Sequence, residues 1–285
     1  MASDSARYRL GLLLVTASAV AWSTAGLFTR IIALDVATML VWRGIFGALG
    51  ILVFTLALQG RSALKDYCSI GWPGWLYTVV SAAGMLCFIA SLRLTTVAHV
   101  SIVYATVPFV AAMLAWLILR EKPGLRAIVA SLVSLVGVIT AVGLSGEGTM
   151  LGAVLAFGMT LAMAGMMVIT RLYHSIPILP AACLSALLSG AVAVPFSQGI
   201  GVGGHDLLLL GLFGLINSAL GLALFTLGAR MLPAVETALI GALDAPLAPV
   251  WIWLVFGEVP NNSTLTGGAI VLIAVGTHIL FRIRD

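Results

Sequence analysis

The chain has 285 residues, 61% of them hydrophobic and only 8% charged, whereas a soluble domain is about a quarter charged. No soluble fold covers that much apolar surface with so few charges, which excludes a soluble enzyme. The formal net charge of +4 comes from basic residues gathered on one side of the apolar runs, so it reports membrane topology and not a nucleic-acid partner.

A bilayer core about 30 Å thick takes about 20 apolar residues in helix, and ten such runs are predicted in the chain. They lie at 10–29, 36–58, 72–92, 95–119, 125–144, 150–170, 178–197, 206–229, 234–256 and 264–281. In the first, Arg7 and Arg9 precede an apolar stretch in which Ala17-Ser18-Ala19 resembles a leader-cleavage site. The second contains Arg43, which either snorkels to the outer surface or pairs with Asp35, and ends at Gln59-Gly60-Arg61. Trp72 and Trp75 open the third run as an interfacial belt. The third and fourth join tightly around Arg93, so hydropathy alone also admits a count of nine. Polar breaks follow at Arg120-Glu121-Lys122-Pro123-Gly124, Ser145-Gly146-Glu147-Gly148 and Val259-Pro260-Asn261-Asn262. His278, near the end of the tenth run, reads as interfacial. Cys68, Cys87 and Cys183 are widely spaced and suggest neither a disulfide framework nor a metal site.

Lys and Arg are retained on the cytoplasmic side. With the N-terminus inside, inner segments hold Arg7, Arg9, Arg61, Lys65, Arg120, Lys122, Arg126, Arg171, Arg230, Arg282 and Arg284, while outer loops hold only Arg30 and Arg93. Both termini are therefore expected in the cytoplasm. At an offset of 141, Gly11, Leu14, Ala21, Thr29 and Arg30 recur as Gly152, Leu155, Ala162, Thr170 and Arg171. At an offset of 137, Arg93, Ala105, Trp116, Glu121 and Pro123 recur as Arg230, Ala242, Trp253, Glu258 and Pro260. The first run thus has a counterpart, which argues against a cleaved leader. The sequence predicts two five-helix repeats, 1–145 and 146–285, and five being odd, they cross the membrane in opposite senses.

Ionisable groups inside a membrane helix are expensive and usually face the protein interior. Glu236 and Asp244 lie eight residues apart in the ninth run, broadly on one helix face, where they suit a substrate ammonium or a proton. The blander reading leaves Glu236 hydrated at a helix N-terminus. His99 aligns with Glu236 at the repeat offset and is either a pseudo-equivalent ionisable site or a structural histidine. Pro108, Gly241, Pro246 and Pro249 interrupt corresponding helices and mark expected hinges, because proline removes backbone hydrogen bonds. Asn217 and Ser218 sit mid-way along the eighth run, where they either join helices or line a cavity. The chain has no His-Glu-x-x-His, no metal-spaced cysteine pair, no phosphate loop and no Gly-x-Ser-x-Gly.

The pattern resembles the drug/metabolite transporter superfamily and its ten-helix EamA-type members. Carrying the resemblance are the two five-helix halves, Ala21-Trp22-Ser23-Thr24, and Pro108 followed by Leu119-Arg120-Glu121-Lys122-Pro123, echoed as Phe256-Gly257-Glu258-Val259-Pro260. The YddG-like branch, with its aromatic amino-acid exporters, is the nearest comparison, although Met163, Ala164 and Gly165 stand where that branch would bring an aromatic. By this resemblance Trp22, Met85, Phe88 and Tyr104 surround a central cavity; the same residue types also serve as plain packing or lipid contact.

The expectation is an all-α polytopic membrane protein, not an enzyme, that exports small metabolites by alternating access. Amino acids, aromatic or hydrophobic ones among them, are the foremost substrates, crossing the cytoplasmic (inner) membrane by uniport. The alternatives are a proton-coupled drug or metabolite antiporter and, from a different class, an intramembrane enzyme or lipid-processing protein. The partners expected are a small solute and the lipid bilayer, with no cofactor, metal or nucleic acid, and a monomeric or weakly homo-oligomeric chain.

Overall fold

A computed structural model describes residues 2–60, 63–95, 97–142, 149–199 and 201–284. Arg61 and the Ser145-Gly146-Glu147-Gly148 break, with the expected boundary between the halves, lie outside the described residues, as do the side chains of Arg93, Arg282 and Arg284. Helices α1 (Ala2–Ser23) and α2 (Ala25–Ile31) occupy the first run, α3 (Val36–Gln59) the second and α5 (Gly71–Leu94) the third, with a short α4 (Ala63–Cys68) between the last two. The fourth run holds α6 (Val97–Tyr104), α7 (Val107–Leu114) and a π turn, Ala115–Leu119. Then follow α8 (Leu125–Val142), α9 (Met150–Leu172), α10 (Ile178–Ala193) and α11 (Gly204–Phe213). A π stretch, Gly214–Leu222, leads into α12 (Ala223–Ala229), and α13 (Ala234–Gly241), α14 (Asp244–Phe256) and α15 (Asn262–Arg284) complete the chain. Among the described residues, eight helical segments are long and apolar enough to cross a membrane, and Leu125–Ala141 is a shorter apolar helix.

The helix ends follow from local chemistry. Asp35 caps α3 by accepting from the Thr38 N–H at 2.9 Å, Thr149 caps α9 through the Gly152 N–H at 3.1 Å, and Asn261 takes the Thr264 N–H at 2.8 Å. The third and fourth runs are separate helices, because Thr95 between them is extended, with φ −147° and ψ 174°. The first run is not continuous as expected; it breaks at Thr24, whose N–H reaches back only to the Ala21 carbonyl, at 3.3 Å. Leu13, Val53 and Ile273, all mid-helix, are 67%, 65% and 64% exposed, an outward apolar face that only lipid can solvate. Buried hydroxyls bond their own helix, as Ser18 does to the Val15 carbonyl at 2.7 Å and Thr55 to that of Ile51 at 2.6 Å.

Helix α3 packs along α10, α8 along α15, α5 along α9, and α1 along α12 and the π stretch before it. Small residues permit the closest crossings, as expected where hydrophobicity does not drive helices together in lipid. A Cβ on Gly44 would lie 2.6 Å from the Ala186 carbonyl oxygen, and one on Gly267 would lie 2.4 Å from the Ala141 nitrogen and the Gly137 oxygen. Exchanging the first five segments for the last five maps α3 with α10 and α8 with α15 onto themselves, and exchanges α5–α9 with α12–α1. The helix breaks obey the same exchange. Val97, Tyr104 and Val107 bound the gap in the fourth run, and Ala234, Gly241 and Asp244, each 137 residues later, bound that in the ninth.

The first and ninth segments lie side by side and parallel. Tyr8 donates to Glu236 at 2.6 Å, Trp251 Nε1 donates to Ser23 Oγ at 2.8 Å, and Arg30 is bidentate on Glu258 with one bond of 2.6 Å. All three contacts span 228 residues of sequence, so the register is kept along the whole segment. The fourth and sixth segments are joined in the same way, Arg171 pairing with Glu121.

Candidate functional site

The site forms where α1, α3, α5 and the π stretch converge. In that stretch Gly221 leaves room for an indole, since a Cβ there would lie 2.6 Å from Trp22 Nε1. The indole instead reaches the helix backbone and donates to the Asn217 carbonyl at 3.0 Å, while Asn217 Nδ2 donates back to the Trp22 carbonyl at 3.3 Å. This reciprocal pair fixes the Asn217 carboxamide, whose oxygen accepts from Arg43 Nη1 at 2.9 Å. Arg43 Nη2 lies 3.2 Å from the Met85 sulfur, and the guanidinium sits over the Phe213 ring at 5.6 Å. Trp22 also packs on Phe225, with ring centroids 4.8 Å apart. A π turn widens the helix by one residue and often occurs where a helix must present a polar group inward.

Arg43 is half-buried, and among the described residues no carboxylate pairs with it. It neither snorkels as expected nor pairs with Asp35, whose carboxylate is taken by the Thr38 N–H and hydroxyl, the latter at 2.5 Å. A cation in this position has neutral ligands on one side and charge to spare for an anion.

Of the predicted residues, Trp22, Met85 and Asn217 are thus gathered around Arg43, which sequence reasoning had assigned to structure. The signal that could have found it was its own placement, a charge seven or so residues into an apolar run. Tyr104 and Asp244 flank the breaks of the fourth and ninth segments and lie within electrostatic range of each other. Phe88 packs with Tyr104 against Val100, Ala156 and Met159, and half-buried His99 lies in the first turn of α6.

Glu236 is placed elsewhere. It is buried at the start of α13, bonded by Tyr8 and 3.9 Å from His278 Nε2. Tyr8 precedes Trp22 by 14 residues, about 21 Å along a helix, so Glu236 does not share a level with Asn217. It is not hydrated at a helix end, and His278 is likewise buried, at 9% exposure. Of the expected hinges, Pro108 begins α7 and lacks the N–H that would close on the Tyr104 carbonyl, Gly241 ends α13, and Pro246 and Pro249 lie in the first half of α14.

Residues 9–143 match the EamA-like transporter family. The match covers the first five helical segments and includes Trp22, Arg43, Met85 and Tyr104. A solved structure described as a crystal structure of a protein is similar over 96% of this chain and 99% of that one, at a TM-score of 0.81 and 16% identity. At that identity the likeness speaks for the fold alone. No curated protein matches the chain. With its apolar spans, the chain is an all-helical, multi-pass membrane protein.

Proposed function

We propose that the chain is an EamA-like secondary transporter that moves small amphipathic metabolites bearing a carboxylate, amino acids foremost, outward across the cytoplasmic membrane. The observation that carries this reading is Arg43. A guanidinium held inside the bundle by the neutral Asn217 and Met85 offers an anionic solute its counter-ion. Trp22, Phe213 and Phe225 beside it supply the apolar wall that an amino-acid side chain would meet. Asp244, at the break of the ninth segment, is the complementary group for an ammonium. Ten crossings arranged as two inverted halves, 1–145 and 146–285, are the frame of this reading, supported by the exchangeable helix pairings and by the matched breaks. The sparse buried charge favours uniport.

The test is counterflow of labelled amino acids and related metabolites in proteoliposomes. Saturable exchange of at least one carboxylate-bearing solute is expected, with Arg43→Ala lowering its transport efficiency roughly 10- to 100-fold, the value of a hydrogen bond to a charged group. A pH gradient imposed across the vesicles should drive no uphill accumulation. Absence of saturable exchange, or an Arg43→Ala variant indistinguishable from the parent, overturns the reading. Proton-coupled antiport is the second reading, favoured by the buried Glu236 between Tyr8 and His278. Uphill movement that follows the pH gradient and disappears in Glu236→Gln would select it.

A further inference from the structure

Arg30–Glu258 and Arg171–Glu121 are ion pairs that join the halves among the described residues, and they stand at opposite ends of the molecule. At one end Arg30, in the last turn of α2, grips Glu258 just beyond α14. At the other, Arg171, in the last turn of α9, grips Glu121 beyond the π turn and also donates to the Leu232 carbonyl at 2.5 Å. Leu232 precedes α13, whose Glu236 holds Tyr8 near the start of α1. Tyr8 and Arg30 are 22 residues apart on the same segment, about 33 Å, the thickness of a bilayer core.

The two pairs are built alike. Each glutamate follows a helix end in the left-handed conformation, Arg120 with φ 56° before Glu121 and Gly257 with φ 69° before Glu258. Arg120 and Gly257 are 137 residues apart, and the two arginines 141. A left-handed residue turns the chain off the helix axis, which aims each glutamate sideways toward the other half. Arg120 is a non-glycine residue in that region, a conformation that costs energy and is kept where the surroundings hold it.

We propose that Arg30–Glu258 and Arg171–Glu121 are the latches of the two mouths of the carrier, so that opening either mouth requires one pair to part while the other holds. The inference rests on the transporter reading above. To admit a solute at the Arg30 end, α2 must move away from the end of α14, and nothing can do so while the bidentate pair is closed. The same holds for α9 and the end of the fourth segment at the other mouth. The latches are unequal: the side chains of Arg171 and Glu121 are 23% and 38% exposed, against 46% and 53% for Arg30 and Glu258. The Arg171 latch also has the Leu232 carbonyl. It is the tighter, so the resting carrier opens first at the Arg30 mouth. An exposed ion pair is weak and biases an equilibrium by no more than about five-fold, which suits a latch that must release at each cycle.

The experiment uses the full chain in lipid nanodiscs, with native cysteines replaced and spin labels at Ile31→Cys with Val259→Cys for one mouth and Lys122→Cys with Leu172→Cys for the other. Electron-electron distance distributions are recorded without any solute. Glu258→Gln should raise the population of long distances at the Arg30 mouth by two- to five-fold and lower it at the other. Glu121→Gln should do the reverse, and Arg171→Glu combined with Glu121→Arg should restore the parent distribution. Unchanged distances in both single variants, or a variant that widens both mouths together, overturns the proposal. Because no solute is present, mouths that trade widths while nothing in the metabolite panel crosses uphold the latches and count only against the transporter reading. Saturable exchange with immobile mouths overturns the latches and leaves transport standing.

Discussion

A guanidinium inside an apolar bundle keeps its charge only by finding hydrogen-bond acceptors within the protein, and Arg43 finds a carboxamide, a thioether and an aromatic face. Asp35, eight residues earlier, spends its carboxylate on the backbone instead. Burial acts to raise that carboxyl, but hydrogen bonds from the Thr38 hydroxyl and from the N–H groups of Thr38, Gln198 and Ala37 outweigh it and hold Asp35 below its ordinary value of 3.8. A folded value below the unfolded one contributes stability that is present above the ordinary carboxylate range and lost as pH falls through the lowered value. Asp35→Ala should therefore cost about 1 kcal/mol at neutral pH, the worth of an N-cap, and Asp35→Asn should flatten the acid limb of stability below about pH 4. Thermal midpoints in detergent across pH 3 to 7 check both; an unaltered acid limb in Asp35→Asn removes Asp35 from the account. The sequence showed Asp35 and Arg43 as possible partners because both are charged and near in the chain. It could not show that the first turn of α3 takes the carboxylate, nor that a π turn 174 residues away brings Asn217 to the arginine.

At the scale of elements, the fourth and ninth segments are each two helices meeting at a two-residue break, at 105–106 and 242–243. Thr106 and Leu243 there bond back only three residues, to Val103 at 3.0 Å and Ile240 at 3.1 Å. Gly241 ends the first helix of the ninth segment, and a Cβ added to it meets nothing within 4 Å. Gly241→Ala should therefore leave packing intact and stabilise the helix by up to about 1 kcal/mol, while slowing turnover several-fold with little change in KM, because a hinge acts on the conformational step. Gly267→Ala is the contrasting case. Its Cβ would press on the backbone of Gly137 and Ala141 and should lower stability by roughly 1–3 kcal/mol through overpacking. Paired measurements of thermal midpoint and counterflow rate separate the two; a Gly241→Ala variant with unaltered turnover takes the break out of the transport cycle. A proline is visible in sequence, since a missing N–H is a property of the residue, and Pro108 and Pro246 stand two and three residues after these breaks. The break at Thr24 and the π stretch around Asn217 contain no proline; at Thr24 the hydroxyl bonds the Ala21 carbonyl within its own turn.

At the scale of the whole molecule, the basic residues sort by end. Arg7 lies within electrostatic range of Arg230, Arg230 bonds the His174 and Ile176 carbonyls, and Arg171 reaches Leu232, so these arginines share the end that holds Tyr8 and Glu236. Arg30 and Glu258 stand together at the other end, and near the start of α3 the Thr38 hydroxyl, which donates to Asp35, lies 3.2 Å from the Gly199 carbonyl. Hydropathy supplied the runs and the basic residues supplied their sense, and neither depends on tertiary detail. Which helices touch was not legible there, although the repeat-matched Arg30, Arg171, Glu121 and Glu258 make two of the contacts. Retention of basic residues in the cytoplasm then makes a prediction about every crossing at once. Reporter domains fused after Lys122 and Arg171 should be active only in cytoplasmic form, and those after Asp35 and Asn262 only in external form. Lys122 and Arg171 are separated by two crossings in the ten-helix arrangement, and Arg171 and Asn262 by three, so the four fusions test parity in both halves. A nine-helix chain that fused the third and fourth segments would place Lys122 and Asp35 on the same side, since only two crossings would then separate them. A cytoplasmic reading at Asn262 would put Arg30 and Glu258 on opposite membrane faces, a placement that their bidentate contact forbids, and would overturn the inverted arrangement with it.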